Sequence, residues 1–136
     1  MALAWVISCD SLIYGPNSYG ERGFNSGLSL EVHAVVMKVG YWQKKTIGRT
    51  PSKDPLAVPA CMWWWIEPQK RAETLDWKTL KEEMRRKNVR GIAMPKDTRE
   101  QHLRHLQGRD ELVYVDLSDS DITDGGLQYL KAMRKL

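Results

Sequence analysis

Between residues 89 and 136 an apolar pattern returns at a fixed interval. Val89, Ile92 and Met94 recur 23 residues later as Leu112, Val115 and Leu117. Leu103, Leu106 and Leu112 recur 24 residues later as Leu127, Leu130 and Leu136. A pattern that returns roughly every 20 to 30 residues marks stacked units, each hiding one face against the next and offering the other to a partner. The spacing predicts strand, turn and helix twice over, with strands over residues 89–94 and 112–117. In the second strand Leu112, Val115 and Leu117 point inward, leaving Val113, Tyr114 and Asp116 to face out. With Arg90 and Ala93 of the first strand they form the expected partner-binding face. Gly108 is placed to end the first helix, where left-handed backbone is wanted. Thr123 or Asp124 opens the second helix, whose Leu127 and Leu130 face inward.

The rest of the chain is read against this pair of units. Its 136 residues suit a single domain rather than two, and the hydrophobic share of 42% is ordinary for a globular protein. Residues 15–29 are rich in Gly, Ser and Asn and read as loop or disordered chain. Residues 30–39 hold Val32, Val35, Val36 and Val39, a run too short for periodicity to separate strand from helix. Pro51, Pro55 and Pro59 make residues 48–59 an extended connector. A helix follows, with Thr74 as N-cap, Asp76 suited to its first turn, and Lys81, Arg85, Arg86 and Lys87 toward its negative end. Trp77, Leu80 and Met84 form its apolar stripe, which predicts packing on the first unit as an N-terminal cap. The expected architecture is thus α/β: a short solenoid of about two units with an irregular N-terminal region and a capping helix. It divides into an irregular, partly disordered region over residues 1–60, a Trp-rich segment and capping helix over 61–88, and repeats over 89–136. Two units are fewer than the roughly three a solenoid needs, so marginal stability or a partner over the open end is expected.

No constellation argues for catalysis. The acidic run Asp116, Asp119, Asp121 and Asp124 fails the calcium-loop test: from Asp119, Asp124 stands where Gly is needed and Leu130 where a bidentate Glu is needed. Capping of local backbone N–H groups explains these side chains. His102 and His105, three apart on one helix, lack further zinc ligands nearby and read as surface residues. Cys9 and Cys61 form neither a disulfide framework nor a metal motif. There is no nucleophile elbow and no phosphate-binding glycine loop, so neither a cofactor nor a metal is expected and the chain reads as a non-enzyme. No apolar run approaches the roughly 18 residues of a membrane span. The start carries neither a secretory nor a mitochondrial leader pattern. The net charge of +4 is a mild basic excess, much of it over residues 78–90 where Glu82 and Glu83 interrupt it. Three adjacent Trp (63–65) cannot all face one way on a strand, which points to burial on two sides or against a partner.

The L-x-x-L-x-L spacing is that of a leucine-rich repeat. The second unit, with Ile122-Thr123-Asp124-Gly125-Gly126-Leu127, resembles the cysteine-containing type found in F-box proteins, although Ser120 stands where Cys or Asn is usual. Residues 89–136 are similar to the mitochondrial ATP synthase subunit s (coupling factor B) family and the related distal membrane-arm assembly proteins of complex I. That resemblance implies a non-catalytic, mitochondrial accessory or assembly factor at an inner-membrane respiratory complex, with protein partners and no small-molecule substrate. Two alternatives are a substrate-recognition module of ubiquitin-ligase type, and a nucleic-acid binder using the Trp block and the basic helix.

Overall fold

The computed structural model describes residues 5–7, 22–59, 63–109, 111–118, 120, 122, 125, 126 and 130. Among them the elements in chain order are β1 (Trp5–Ile7), β2 (Arg22–Phe24), β3 (Leu30–Lys38), β4 (Tyr41–Thr50), β5 (Leu56–Val58) and β6 (Trp63–Pro68), followed by helix α1 (Trp77–Arg86), β7 (Gly91–Ala93), helix α2 (Glu100–Leu103), a 3₁₀ turn over Arg104–Leu106, and β8 (Tyr114–Asp116). Six strands form one mixed sheet in the order β1-β8-β7-β6-β3-β4, and β2 pairs with β5 in a separate two-stranded ribbon. β6, β7 and β8 run parallel, whereas β3 is antiparallel to both β4 and β6, and β1 is antiparallel to β8.

The protein is therefore a mostly β fold and not an α/β leucine-rich-repeat solenoid. The 23-residue recurrence survives as register, with Gly91 opposite Tyr114, Ile92 opposite Val115 and Ala93 opposite Asp116. What overturns the solenoid is what flanks that parallel pair. A solenoid continues in one sense on both sides. Here the β3–β4 hairpin closes one side through β6, and the short antiparallel β1 closes the other. Any two successive strand–helix–strand crossovers of equal length return their core residues at one interval, so two units cannot tell an array from a mixed sheet. The expected open-ended array also falls, because β1 occupies the outer edge of β8.

Two further expectations are corrected. The described part of the N-terminal region is not irregular: residues 22–58 supply four strands, including β3 and β4, which contribute nine and ten residues. The helix does not cap an array but crosses from β6 to β7 in the middle of the molecule. Its N-cap is Asp76 rather than Thr74; the Asp76 carboxylate accepts from the Thr79 N–H at 3.1 Å and from the Thr79 hydroxyl at 2.7 Å. Trp77, Leu80 and Met84 are buried along one stripe, and Arg85 and Arg86 occupy the last turn where the macrodipole favours them. Gly108, at φ +78°, follows the short helical segment in the left-handed conformation. The second unit's helix start, at Thr123 or Asp124, lies outside the described residues, as do Leu127 and Leu136.

The sheet is covered on one face only by described elements. Val32, Ala34, Trp64, Ile66, Ile92 and Val115 meet α1, α2, the 3₁₀ turn and the β2–β5 ribbon in a single core. Phe24 of the ribbon packs edge-on against Trp64, with ring centroids 5.3 Å apart. Polar ties fasten the ribbon side to the end of α1: Arg22 donates to the Lys87 carbonyl at 2.7 Å, and the Ser26 hydroxyl donates to Glu83 at 2.6 Å. These bonds meet carbonyls and charges that a helix terminus would otherwise leave unsatisfied.

Candidate binding face

Alternation along each strand delivers a second, smaller set of side chains to the face opposite the helices. Trp63, Trp65 and Glu67 come from β6, and Glu31, His33 and Val35 from β3, in direct register with them. β4 contributes Trp42, Lys44, Thr46 and Arg49 opposite Met37, Val35, His33 and Glu31. Across β7, the face continues through Ala93 to Tyr114 and Asp116 of β8. The Trp triplet thus divides: Trp64 joins the main core, while Trp63 and Trp65 belong to the opposite cluster with Val35, Ala93, Val113 and Tyr114.

Aromatic rings line up across this face. Trp65 lies 4.7 Å from Tyr114 and 5.5 Å from the His33 ring, and Trp63 lies 6.1 Å from Tyr114. The Lys44 ammonium sits 5.7 Å over the Trp65 ring, a cation–π contact. Gly91 makes the Trp65–Tyr114 approach possible, since it stands on the strand between them with no side chain. A Cβ there would come within 2.8 Å of both the Trp64 carbonyl oxygen and the Trp65 Cβ. Val35, Trp42, Lys44, Trp63, Trp65, Tyr114 and Asp116 line an open pocket of about 400 Å³. Its floor is aromatic, with the Lys44 ammonium and the Asp116 carboxylate among its lining groups. The buried Trp63 indole N–H finds no acceptor there among the described residues. Burial first, and then the neighbouring Asp116 carboxylate, push the Tyr114 phenol well above its ordinary value, so it stays a neutral donor. Its hydroxyl stands 3.5 Å from Asp116 Oδ2, while Asp116 Oδ1 accepts the Ser118 N–H at 2.7 Å.

Beyond Trp65 the face turns polar. His33, only 2% exposed, places Nε2 at 2.8 Å from Glu67 Oε1 and 3.1 Å from Glu31 Oε1. Its Nδ1 is 3.1 Å from the Thr46 hydroxyl. A separate crevice of about 340 Å³ opens past the carboxyl ends of β6 and β7, lined by Glu67, Lys70, Arg71, Lys96 and Asp97 among others.

Of the five positions expected to face a partner, Ala93, Val113, Tyr114 and Asp116 belong to this face, the first three nearly wholly buried in its cluster and Asp116 at the pocket wall. Arg90 takes no part in either; its carbonyl accepts from the N–H groups of Val113 and Tyr114. Trp42 and Lys44, absent from the sequence reading, complete the pocket with Val35, which was read only as part of the ambiguous run 30–39. The sequence signals for it were the i, i+2 spacing of Trp63 and Trp65 and the outward alternation of Tyr114 and Asp116. His102 is buried rather than superficial, its Nδ1 accepting the Arg99 N–H, and both it and His105 stack on Trp77, at 6.3 and 4.7 Å. Of the acidic run, Asp119, Asp121 and Asp124 lie outside the described residues, as do Cys9 and Cys61. No described helix is long and apolar enough to cross a membrane. No family model, no curated protein and no solved structure matches this chain.

Proposed function

We propose that the protein is a non-catalytic binding module that receives an apolar or aromatic side chain from a protein partner in the pocket on its open sheet face. The observation that carries this reading is the pocket itself: an aromatic floor, one cationic and one anionic lining group, and a Trp63 N–H with no acceptor among the described residues. Trp and Tyr set in a desolvated pocket are the residues that dominate protein–protein affinity. A partner backbone carbonyl would satisfy the indole donor, whose unpaired burial costs about 1–3 kcal/mol. The surface also continues outward, because Trp42 belongs both to the pocket wall and to the β3–β4 hairpin tip. There Met37, Val39, Tyr41 and Trp42 are exposed, Val39 at 99%. Clustered exposed apolar side chains of this kind mark interaction sites.

Nucleic acid fits less well. Single-stranded binders set their stacking rings in a positively charged groove, and this pocket has Lys44 balanced by Asp116 among its lining residues. The basic helix α1 packs against the other side of the sheet, so it adds no charge to these rings.

The test is a photo-crosslinking amino acid at position 42 in the full chain, expressed in cells. A discrete protein adduct that disappears with Asp116→Lys or Lys44→Glu supports the reading. Adducts indifferent to both substitutions, or recovery of RNA with binding that falls steeply with salt, would sink it. The accessory role at a respiratory complex implied by the resemblance is one specific case, which adducts to its subunits would single out; a ubiquitin-ligase scaffold would single out the other.

A further inference from the structure

We propose that Glu31, His33 and Glu67 form a binding site for one divalent transition ion of the zinc type. Glu31 and Glu67 stand directly opposite each other on β3 and β6, an arrangement of like charges that destabilises a strand pair unless a cation lies between them. The third group, His33, reaches the same point from two positions along β3. The donor atoms of all three lie within 4.8 Å of one another.

The dimensions suit a metal. Bonds of about 2.0–2.2 Å from a zinc-type ion to imidazole nitrogen and carboxylate oxygen, at tetrahedral or right angles, place neighbouring donors about 2.8–3.6 Å apart. Two of the three donor separations here, 2.8 and 3.1 Å, already lie in that range. One nitrogen and two carboxylate oxygens form a mixed donor set that suits zinc and its neighbours; an imidazole does not suit magnesium or calcium. Three protein ligands leave a fourth position open, and the side chains of Glu31 and Glu67 are 19% and 37% exposed while that of His33 is 3%. The site is thus closed beneath and accessible from one side.

The surroundings hold these ligands as a metal centre requires. A register shift between β3 and β4 brings Thr46, rather than Ile47, opposite His33. The Thr46 hydroxyl lies 3.1 Å from Nδ1, and with the proton on Nδ1 this bond holds the tautomer that leaves Nε2 free for an ion. Arg49 donates to Glu31 Oε2 at 2.9 Å, which engages one carboxylate oxygen and leaves Oε1, the one nearest His33, for coordination. The alternative occupant of the same point is a proton on Nε2 shared with both carboxylates, and the two are distinguishable by titration. The proposal does not depend on the partner reading.

The experiment uses the untagged full chain, with Cys9→Ser and Cys61→Ser to remove thiol competition, stripped with chelator and titrated calorimetrically with zinc chloride. One equivalent should bind. Cobalt bound at the same point should quench tryptophan fluorescence, given that the Trp65 ring lies 5.5 Å from that of His33. Glu67→Gln and Thr46→Val should each weaken zinc binding by about 10-fold or more, with the far-ultraviolet circular dichroism unchanged. His105→Gln should leave the affinity unaltered. Absence of saturable binding, or equal affinity in folded Glu67→Gln, overturns the proposal; so does loss of binding in His105→Gln, which would place the ion elsewhere. Glu67, the most exposed ligand, keeps the test intact if His33 variants fail to fold.

Discussion

Single residues here act through what they leave out as much as through what they contribute. Gly91 is the clearest case, since a methyl group at that position would strike the Trp64 carbonyl and the Trp65 Cβ at 2.8 Å. One of these is backbone and cannot rotate aside. Gly91→Ala should therefore destabilise the fold by about 1–3 kcal/mol, the usual cost of overpacking, and weaken the near-ultraviolet dichroism of the Trp65–Tyr114 pair. A urea midpoint equal to that of the parent would show that the strands yield more easily than this geometry implies. At this scale the sequence was only partly legible. The alternation of Trp63, Trp64 and Trp65 forecast a two-sided division, because a strand allows nothing else. The pairing of Glu31 and His33 with Glu67 was invisible, since spacing along a chain does not say which strands become neighbours.

Among the elements, legibility followed burial on one face. The stripe of Trp77, Leu80 and Met84 announced α1, and the recurring triplets announced β7 and β8. β4 gave no such signal: its residues from Tyr41 to Thr46 are all exposed, so neither face selects for apolar side chains. His102 misled for a related reason, as the ring that buries it, Trp77, belongs to another helix. That helix contact carries a pH dependence. Burial, followed by the charges of Lys81, Arg104 and His102, holds the His105 imidazole below its ordinary 6.5. The unfolded chain then takes up a proton more readily than the folded one, so this contribution is intact above 6.5 and is lost as the pH falls toward the lowered value. His105→Phe keeps a ring against Trp77 without the titration. Its stability should decline less than that of the parent between about pH 7.5 and about pH 5, measured by urea unfolding. Equal declines would assign the slope to other groups.

For the whole molecule, the sheet order matters more than the repeat. β3 sits between β4 and β6, so residues from the first half of the chain cover the edge of the parallel strands. Phe24, Leu30, Val32, Ala34 and Val58 join the same core as Leu80, Ile92 and Val115. A fragment of residues 89–136, a self-contained pair of units in the solenoid reading, loses that half of the core. It should show no cooperative thermal transition and little amide dispersion by NMR, whereas the full chain melts in one step. A folded fragment would restore the case for autonomous repeats. The division into regions at residues 60 and 88 was a division of sequence texture, and the hydrogen-bonded sheet runs across it.

The pairing of β1 with β8 sets an order of events during synthesis. Residues 5–7 find their partners only at residues 114–116, so β1 leaves the ribosome well before the strand it pairs with. Until β8 has emerged, β1 has no native edge to join, and it is then available to any chaperone or exposed strand it meets.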